Sequence, residues 1–249
     1  MMIQDLHSHT YYSFCGADTP EQVVQAAIDG GIELLGITDH NHGVGFARFD
    51  FFMSKGDDFA DDYGRTLKRY FDHINLIKEK YADKIKVLRG IEVTTHKGHH
   101  CPLPASADIS YFDYCLIENL DAGAENTITG GDLFAFAERC GCRAGIAHTD
   151  MFAFIKSIGK DPYAYFSKMA DRGIFWEMNV NLDTIHHGNQ HKYMLDFFEN
   201  EEQQDIVRRS GVRISVGFDG HRVYDYKPGR IADYCKRLGE MGIKLAFEE

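Results

Sequence analysis

The opening stretch Met1-Met2-Ile3-Gln4-Asp5-Leu6-His7-Ser8-His9 ends a strand-like apolar segment with two histidines. Side chains alternate along an extended segment, so His7 and His9 point to the same side of it. Two imidazole nitrogens directed into one space suit a borderline divalent metal such as zinc, and added carboxylates admit manganese or iron. Taken alone, one such pair is more often two ordinary polar residues at the end of a strand.

Similar polar clusters follow four later apolar segments of the chain. They are Thr38-Asp39-His40, Gly90-Ile91-Glu92, Ala147-His148-Thr149 and Phe218-Asp219-Gly220-His221. Five such endings spread through one chain favour a shared metal site over five unrelated strand ends. The sequence therefore predicts a metalloenzyme.

Apolar runs typical of strands alternate with amphipathic helical patterns along the chain. We predict strands at residues 2–6, 34–38, 85–93, 111–117, 143–147, 174–179 and 213–218. Thr19 and Pro20 have the pattern of an N-cap and first helical residue, and further helices are predicted near 64–82, 131–140, 161–171, 191–210 and 229–241. This alternation implies parallel strands joined by right-handed crossovers. Polar clusters after nearly every strand favour a closed α/β barrel, with its site at the carboxyl ends of the strands, over an open sheet.

Length, composition and charge are compatible with one enzyme domain. A chain of 249 residues with 44% hydrophobic residues can bury one full core, so residues 1–249 are expected to form a single domain. The net charge of −11 disfavours binding to long nucleic acid, which requires clustered Lys and Arg. No apolar run is long enough to cross a membrane. Six cysteines without a CxxC pair, and no basic leader, make the cytoplasm the expected compartment.

The ordered motifs resemble the PHP (polymerase and histidinol phosphatase) superfamily. The match runs through Asp5-Leu6-His7-Ser8-His9-Thr10, Gly36-Ile37-Thr38-Asp39-His40, Gly90-Ile91-Glu92, Ala147-His148 and Asp219-Gly220-His221, and so covers almost the whole chain in order. This resemblance implies a distorted (β/α)7 barrel that holds two or three divalent metal ions, Zn, Mn or Fe, and hydrolyses phosphoesters. The stretch from Tyr70 to Glu92 is most similar to the histidinol-phosphatase branch.

The resemblance also implies a set of metal ligands. It puts His7, His9, Glu92 and Asp219 around one metal, with Glu92 bridging to a second. The second metal would take His148 and one further histidine. The third, where present, would use His40 and His221 together with a residue from the loop after His9.

Two positions depart from the family pattern. The loop after His9 reads Ser13-Phe14-Cys15-Gly16 where three-metal members carry a histidine or an aspartate. Cys15 is therefore either a thiolate ligand or a small residue packed under the loop, and the third metal is expected to be weak or absent. After the fourth strand the chain has Glu118-Asn119-Leu120 where the histidinol-phosphatase branch carries a metal-binding histidine. His100 is the expected replacement, with His99 and Glu118 as alternatives.

The chemistry of phosphoester hydrolysis assigns roles to residues beside the metals. Two metals lower the pKa of a shared water to ~7 and neutralise charge on the attacked and leaving oxygens. Asp39 is expected to orient a ligand ring, and Arg222, next to His221, to bind phosphate oxygens. Other residues after strand ends have a functional and an ordinary polar or surface interpretation: Lys97, Glu177, Asn179, His186, His187, His191 and Arg230.

The leading functional prediction is a metal-dependent phosphatase of a small phosphomonoester, with histidinol phosphate as the first substrate to test. A phosphodiesterase or 5′ to 3′ exonuclease of short nucleotides is the alternative within the same chemistry. From a different class, the chain could be a metal-binding module without activity, although the intact run of ligands speaks against that interpretation. The sequence leaves the leaving group, the native metal and the oligomeric state open.

Overall fold

The computed structural model describes residues 2–45, 60–98 and 102–248. Its strands follow one another around the sheet in chain order and are all parallel: β1 (Gln4–Asp5), β2 (Leu34–Ile37), β3 (Lys86–Thr94), β4 (Tyr114–Glu118), β5 (Arg143–Ile146), β6 (Phe175–Asn179) and β7 (Ile214–Gly217). Each predicted strand is present within a few residues of its expected bounds. The predicted strand order and direction are confirmed.

Hydrogen bonds between the first and last strands close the sheet into a barrel. Leu6 N donates to Val216 O at 2.9 Å, and the bonding continues past the strands, where Asp219 N donates to His7 O at 2.8 Å. The buried carboxylate of Asp5 adds a side-chain link, since it accepts a hydrogen bond from Phe218 N at 2.9 Å. The predicted seven-stranded α/β barrel is confirmed, and the polar segments after β1 and β7 become neighbours.

Helices cover the outside of the barrel. They are α1 (Pro20–Asp29), α2 (Asn41–Gly45), α3 (Ala60–Lys80), α4 (Leu133–Cys140), α5 (Met151–Ser157), α6 (Pro162–Asp171), α7 (Lys192–Glu199), α8 (Glu201–Ser210) and α9 (Pro228–Glu240). The predicted start of α1 is confirmed, because the Thr19 side chain accepts from Gln22 N and Pro20 occupies the first turn. Within the described residues, no helix is both long and apolar enough to cross a membrane.

Two features of the helices differ from the prediction. The single helix expected over 191–210 is wrong, because Asn200, at φ −111° and ψ 99°, interrupts the helical backbone. Its side chain caps α8 by accepting a hydrogen bond from Gln203 N. The short helices α2 and α5 were not predicted; α5 begins after Asp150, whose side chain accepts from Ala153 N.

Alternation along the strands separates the outer core from the barrel interior. In β6, Trp176 and Met178 pack against the helices, whereas Phe175 packs inside the barrel against Leu34 and Tyr114. The next inward-facing position of β6 is Glu177, because side chains on one face recur every second residue. Apolar side chains therefore fill the barrel interior, and polar side chains follow them towards the carboxyl end.

Candidate metal centre

The four residues predicted around the first metal converge. His7 Nε2 lies 3.1 Å from His9 Nε2, 3.3 Å from Glu92 Oε2 and 3.5 Å from Asp219 Oδ1. His9 Nε2 lies 3.4 Å from Glu92 Oε2 and 3.0 Å from Asp219 Oδ1. All four side chains are buried. Glu92 lies in β3 and the other three follow β1 and β7, so barrel closure is what brings them together.

These separations fit the ligands of one tetrahedral metal ion. With metal–ligand bonds of 2.0–2.1 Å, the ligand atoms of such a site lie about 3.3–3.4 Å apart. The five separations given above run from 3.0 to 3.5 Å. Glu92 Oε2 is also buried and makes no hydrogen bond of acceptable geometry, although His40 Nδ1 lies 2.9 Å away; buried polar atoms normally make one. The donor set of imidazoles and carboxylates suits zinc, manganese or iron.

Glu92 also contacts histidines on either side of this group. Its Oε1 lies 3.0 Å from His148 Nε2, and its Oε2 lies 2.9 Å from His40 Nδ1. This placement is what a bridging carboxylate requires. Glu118 lies at the same edge, with Oε1 3.5 Å from His40 Nδ1. His100 and His99, the other candidates for the second metal, lie outside the described residues.

Cys15 lies beside the histidines proposed for the third metal. Ligand atoms of Cys15, His9 and His221 all fall within 4.8 Å of one another. Burial alone would raise the pKa of the Cys15 thiol, but hydrogen bonds with His221 and His40 outweigh it and lower that pKa. The loop after His9 therefore brings a thiol to the position where the family pattern has another ligand.

Glu177 lies under the cluster rather than at an open surface. Its Oε1 accepts a hydrogen bond from His7 Nδ1 at 2.7 Å, and its Oε2 accepts one from His148 N at 2.7 Å. With the Nδ1 proton held there, His7 Nε2 presents its lone pair to the cluster. His148 has a φ of +23°, so the second bond holds a strained backbone. Glu177 therefore fixes two candidate ligands from one buried position.

Asp39 acts on the candidate ligands through the loop after His9. Its carboxylate accepts hydrogen bonds from Thr10 N at 2.7 Å and from the Ser13 hydroxyl at 2.7 Å. Ser13 Oγ in turn lies 3.2 Å from His9 Nδ1 and accepts a hydrogen bond from His40 N at 2.9 Å. Ser13 thus connects Asp39 to the ring of His9 and to the backbone of His40.

The charges of the cluster stabilise one another. Burial alone would lower the pKa of His7, but the carboxylates of Glu92 and Glu177 raise it well above its usual value. Burial alone would raise the pKa of Glu92, but His40 and His7 hold it well below the usual range. His9 differs, because burial and the nearby His221 lower its pKa to about 3. The carboxylates therefore require positive charge beside them, which a divalent cation supplies on displacing protons.

Arg222, which was predicted to bind phosphate, and the two cations left with open interpretations make their contacts elsewhere. Arg222 lies at the surface, where its Nη1 donates to the Tyr224 hydroxyl at 2.7 Å. Lys97 Nζ donates to Glu125 O at 3.0 Å, and Arg230 Nε donates to Val180 O at 2.6 Å. Among the described residues, none of these three side chains makes a hydrogen bond or ion pair with the histidine and carboxylate cluster.

The segment after β6 adds Asp183, which the sequence did not single out, to two histidines whose role the sequence left open. Asp183 is buried and lies between two histidines, with Oδ1 2.9 Å from His186 Nδ1 and Oδ2 3.3 Å from His221 Nδ1. The His191 ring stacks on His148 with centroids 5.7 Å apart. The sequence signal that could have identified Asp183 is its position: this segment follows a strand end, as the other polar clusters do.

Comparison with known proteins agrees with this fold. The family model for the PHP domain matches residues 5–203. A curated histidinol-phosphatase of Lactococcus lactis subsp. lactis (strain IL1403) is 24% identical over 130 residues, a match that covers 52% of this chain and 44% of that relative. This chain therefore matches less than half the length of that relative.

Two crystal structures share the fold. Histidinol phosphate phosphatase from Lactococcus lactis subsp. lactis Il1403, complexed with Zn, L-histidinol and phosphate, gives a TM-score of 0.56 at 17% identity and covers 97% of this chain and 95% of its own. A putative histidinol phosphatase from Listeria monocytogenes gives a TM-score of 0.53 at 18% identity, covering 93% of this chain and 100% of its own. At these identities the structural comparison shows a common fold.

Proposed function

This chain belongs to the PHP domain family, and from that membership we propose that it is a metal-dependent phosphatase of a small phosphomonoester. The observation that carries the proposal is the near-tetrahedral convergence of His7, His9, Glu92 and Asp219, with Glu92 reaching a second group of histidines. Histidinol phosphate is the first substrate to test, because the curated relative is a histidinol-phosphatase.

The proposed ligand assignment combines the contacts described above with the family pattern. His7, His9, Glu92 and Asp219 hold one divalent cation. Glu92 and His148 hold a second, which His100 is proposed to complete. A third and weaker site uses the remaining members of the cluster, which are Cys15, His40 and His221.

The protein's own residues prepare this site for hydrolysis. Divalent cations bound there would lower the pKa of a water to ~7 and neutralise phosphate charge. Glu92 keeps the two groups of ligands together, and Glu177 fixes the tautomer of His7. Asp39 holds Ser13 against His9, so that the rings are oriented before a substrate arrives.

A phosphate-release screen tests the proposal. Metal-free protein is reconstituted separately with Mn, Zn or Fe and assayed on histidinol phosphate, other monoesters and dinucleotides. We expect fastest release from a monoester and none from Asp219→Ala. The matched control is Asp196→Ala, which removes an exposed aspartate of α7. Faster cleavage of dinucleotides would instead support a phosphodiesterase, and metal binding without any release would support a metal-binding module.

A further inference from the structure

Asp183 holds the His186 ring in one orientation. The Asp183 side chain is fully buried and accepts hydrogen bonds from His186 N at 2.8 Å and from His186 Nδ1 at 2.9 Å. A buried carboxylate requires such partners, since an unpaired buried charge is costly. His186 is therefore fixed at both its backbone and its ring, although the segment after β6 carries no regular secondary structure.

The other ring nitrogen of His186 is directed at the candidate metal centre. Its Nε2 lies 3.9 Å from Asp219 Oδ2, which is beyond hydrogen-bond reach. The His186 side chain is 34% exposed, so a ligand can approach it, and its ring centroid lies 5.2 Å from that of His221. Within the described residues, Nε2 thus stands beside the cluster with no hydrogen bond of its own.

A phosphomonoester presents more oxygen atoms than a pair of metals needs to hold. The remaining phosphate oxygens usually accept hydrogen bonds from protein donors close to the metals. Arg222 makes its contact with Tyr224 at the surface, whereas His186 Nε2 faces Asp219. His186 is the better placed of the two for a substrate that sits on the cluster.

We infer that His186 is a substrate-binding residue: while its Nδ1–H donates to Asp183, its Nε2–H donates to a phosphoryl oxygen of the bound ester, so both ring nitrogens carry a proton in the complex. Asp183 is its positioning residue. The ligand class is a phosphate group, either on the substrate or as the inorganic product. This inference rests on the proposed function for the identity of the substrate.

Two substitutions of His186 test the contacts of its two ring nitrogens separately. The amide of Asn can replace the contact of Nδ1 with Asp183, whereas the longer Gln places an amide nitrogen near the position of Nε2. We expect kcat/KM for the best monoester to fall about tenfold or more in His186→Ala and His186→Asn. We expect His186→Gln to retain a larger part of the activity. The matched control is His187→Ala, the exposed neighbour, which should leave kcat/KM unchanged.

Two further measurements make the outcome decisive. Elemental analysis should give the same metal content for the wild type and His186→Ala; a lost metal would show that His186 is a ligand and would overturn the inference. Inhibition by inorganic phosphate should weaken in His186→Ala and not in His187→Ala. Equal losses in the Asn and Gln variants, or a larger loss in Arg222→Ala, would also overturn it.

Failure of the proposed function is distinguishable from failure of this inference. If the wild type hydrolyses no phosphoester, the phosphatase proposal fails. Calorimetric titration of the metal-loaded protein with inorganic phosphate then tests His186 alone. Weaker phosphate binding in His186→Ala than in His187→Ala supports the contact, and equal binding refutes it.

Discussion

Gly217→Ala should displace the Glu177 carboxylate, which orients the candidate ligands His7 and His148. Gly217 is the last residue of β7, and a Cβ built there would lie 2.1 Å from Glu177 Oε1 and 2.7 Å from His7 Cβ. Its φ lies outside the left-handed region, so the obstacle is space and not backbone conformation. Since real Cβ atoms essentially never approach this closely, the methyl group must displace the Glu177 carboxylate.

The cost follows from the two hydrogen bonds that Glu177 accepts, from His7 Nδ1 and from His148 N, each at 2.7 Å. A hydrogen bond to a charged group contributes about 1.5–3 kcal/mol, so losing both should cost about 3–6 kcal/mol of unfolding free energy. For a chain of this length, about 1 kcal/mol corresponds to 2–4 °C in Tm. We therefore expect Tm of the metal-free protein to fall by about 6–24 °C. Because His7 loses the group that orients its ring, metal affinity should fall about 10- to 100-fold.

Calorimetric melting of the metal-free protein and metal titration against a chelator measure the two effects. The control is Gly229→Ala in the first turn of α9, where a Cβ meets no atom within 4 Å. Alanine favours helix there, so Tm should stay equal or rise slightly. Wild-type Tm and metal affinity in Gly217→Ala would refute the role of Glu177. Glu177→Gln, which keeps the shape and removes the charge, provides the same test if Gly217→Ala does not fold.

Three further predictions concern other parts of the chain. Asp219→Ala should abolish turnover while circular dichroism shows a retained fold, because residues at a barrel mouth contribute little to core packing. We expect two tightly bound metals and a weaker third that Cys15→Ala removes; elemental analysis giving three metals in both proteins would exclude the thiolate ligand. Burial alone would raise the pKa of Asp113, but hydrogen bonds from Arg89 lower it below its unfolded value. Its stabilising contribution is therefore present above about pH 4 and is lost as pH falls through the folded pKa, so Asp113→Asn should lower Tm at pH 7, and the difference from the wild type should shrink as pH falls through that pKa.

The strands and the residues that converge at the first candidate metal site were predictable because both depend on short stretches of sequence. An apolar run with a polar ending identifies a strand and its carboxyl end together, as His7 and His9 do after β1. Closing seven parallel strands then brings those ends to one place without further information. The division of the helix at Asn200 was missed because an amphipathic pattern continues across it, and a single capping residue decides the break.

The supporting carboxylates were not predictable from such local patterns. Glu177 reaches His7 across 170 positions in the chain, and Asp183 reaches His221 across 38. A buried glutamate at a strand end is compatible with either structural or substrate contacts until its partner is known. Their partners depend on the barrel's closure and on the paths of the segments after β6 and β7, which no single motif encodes.

Three carboxylates each connect groups that come from different strands or from the segments after them. Glu92 contacts His40 and His148, which follow β2 and β5, while Glu177 joins the segments after β1 and β5. Asp183 joins its own segment after β6 to His221 after β7. Because each carboxylate joins residues from different strands, the positions of the ligands depend on cross-strand contacts more than on the loops that carry them. β6 contributes Glu177 and leads directly into Asp183, so it supports both the candidate metal ligands and the proposed phosphate contact.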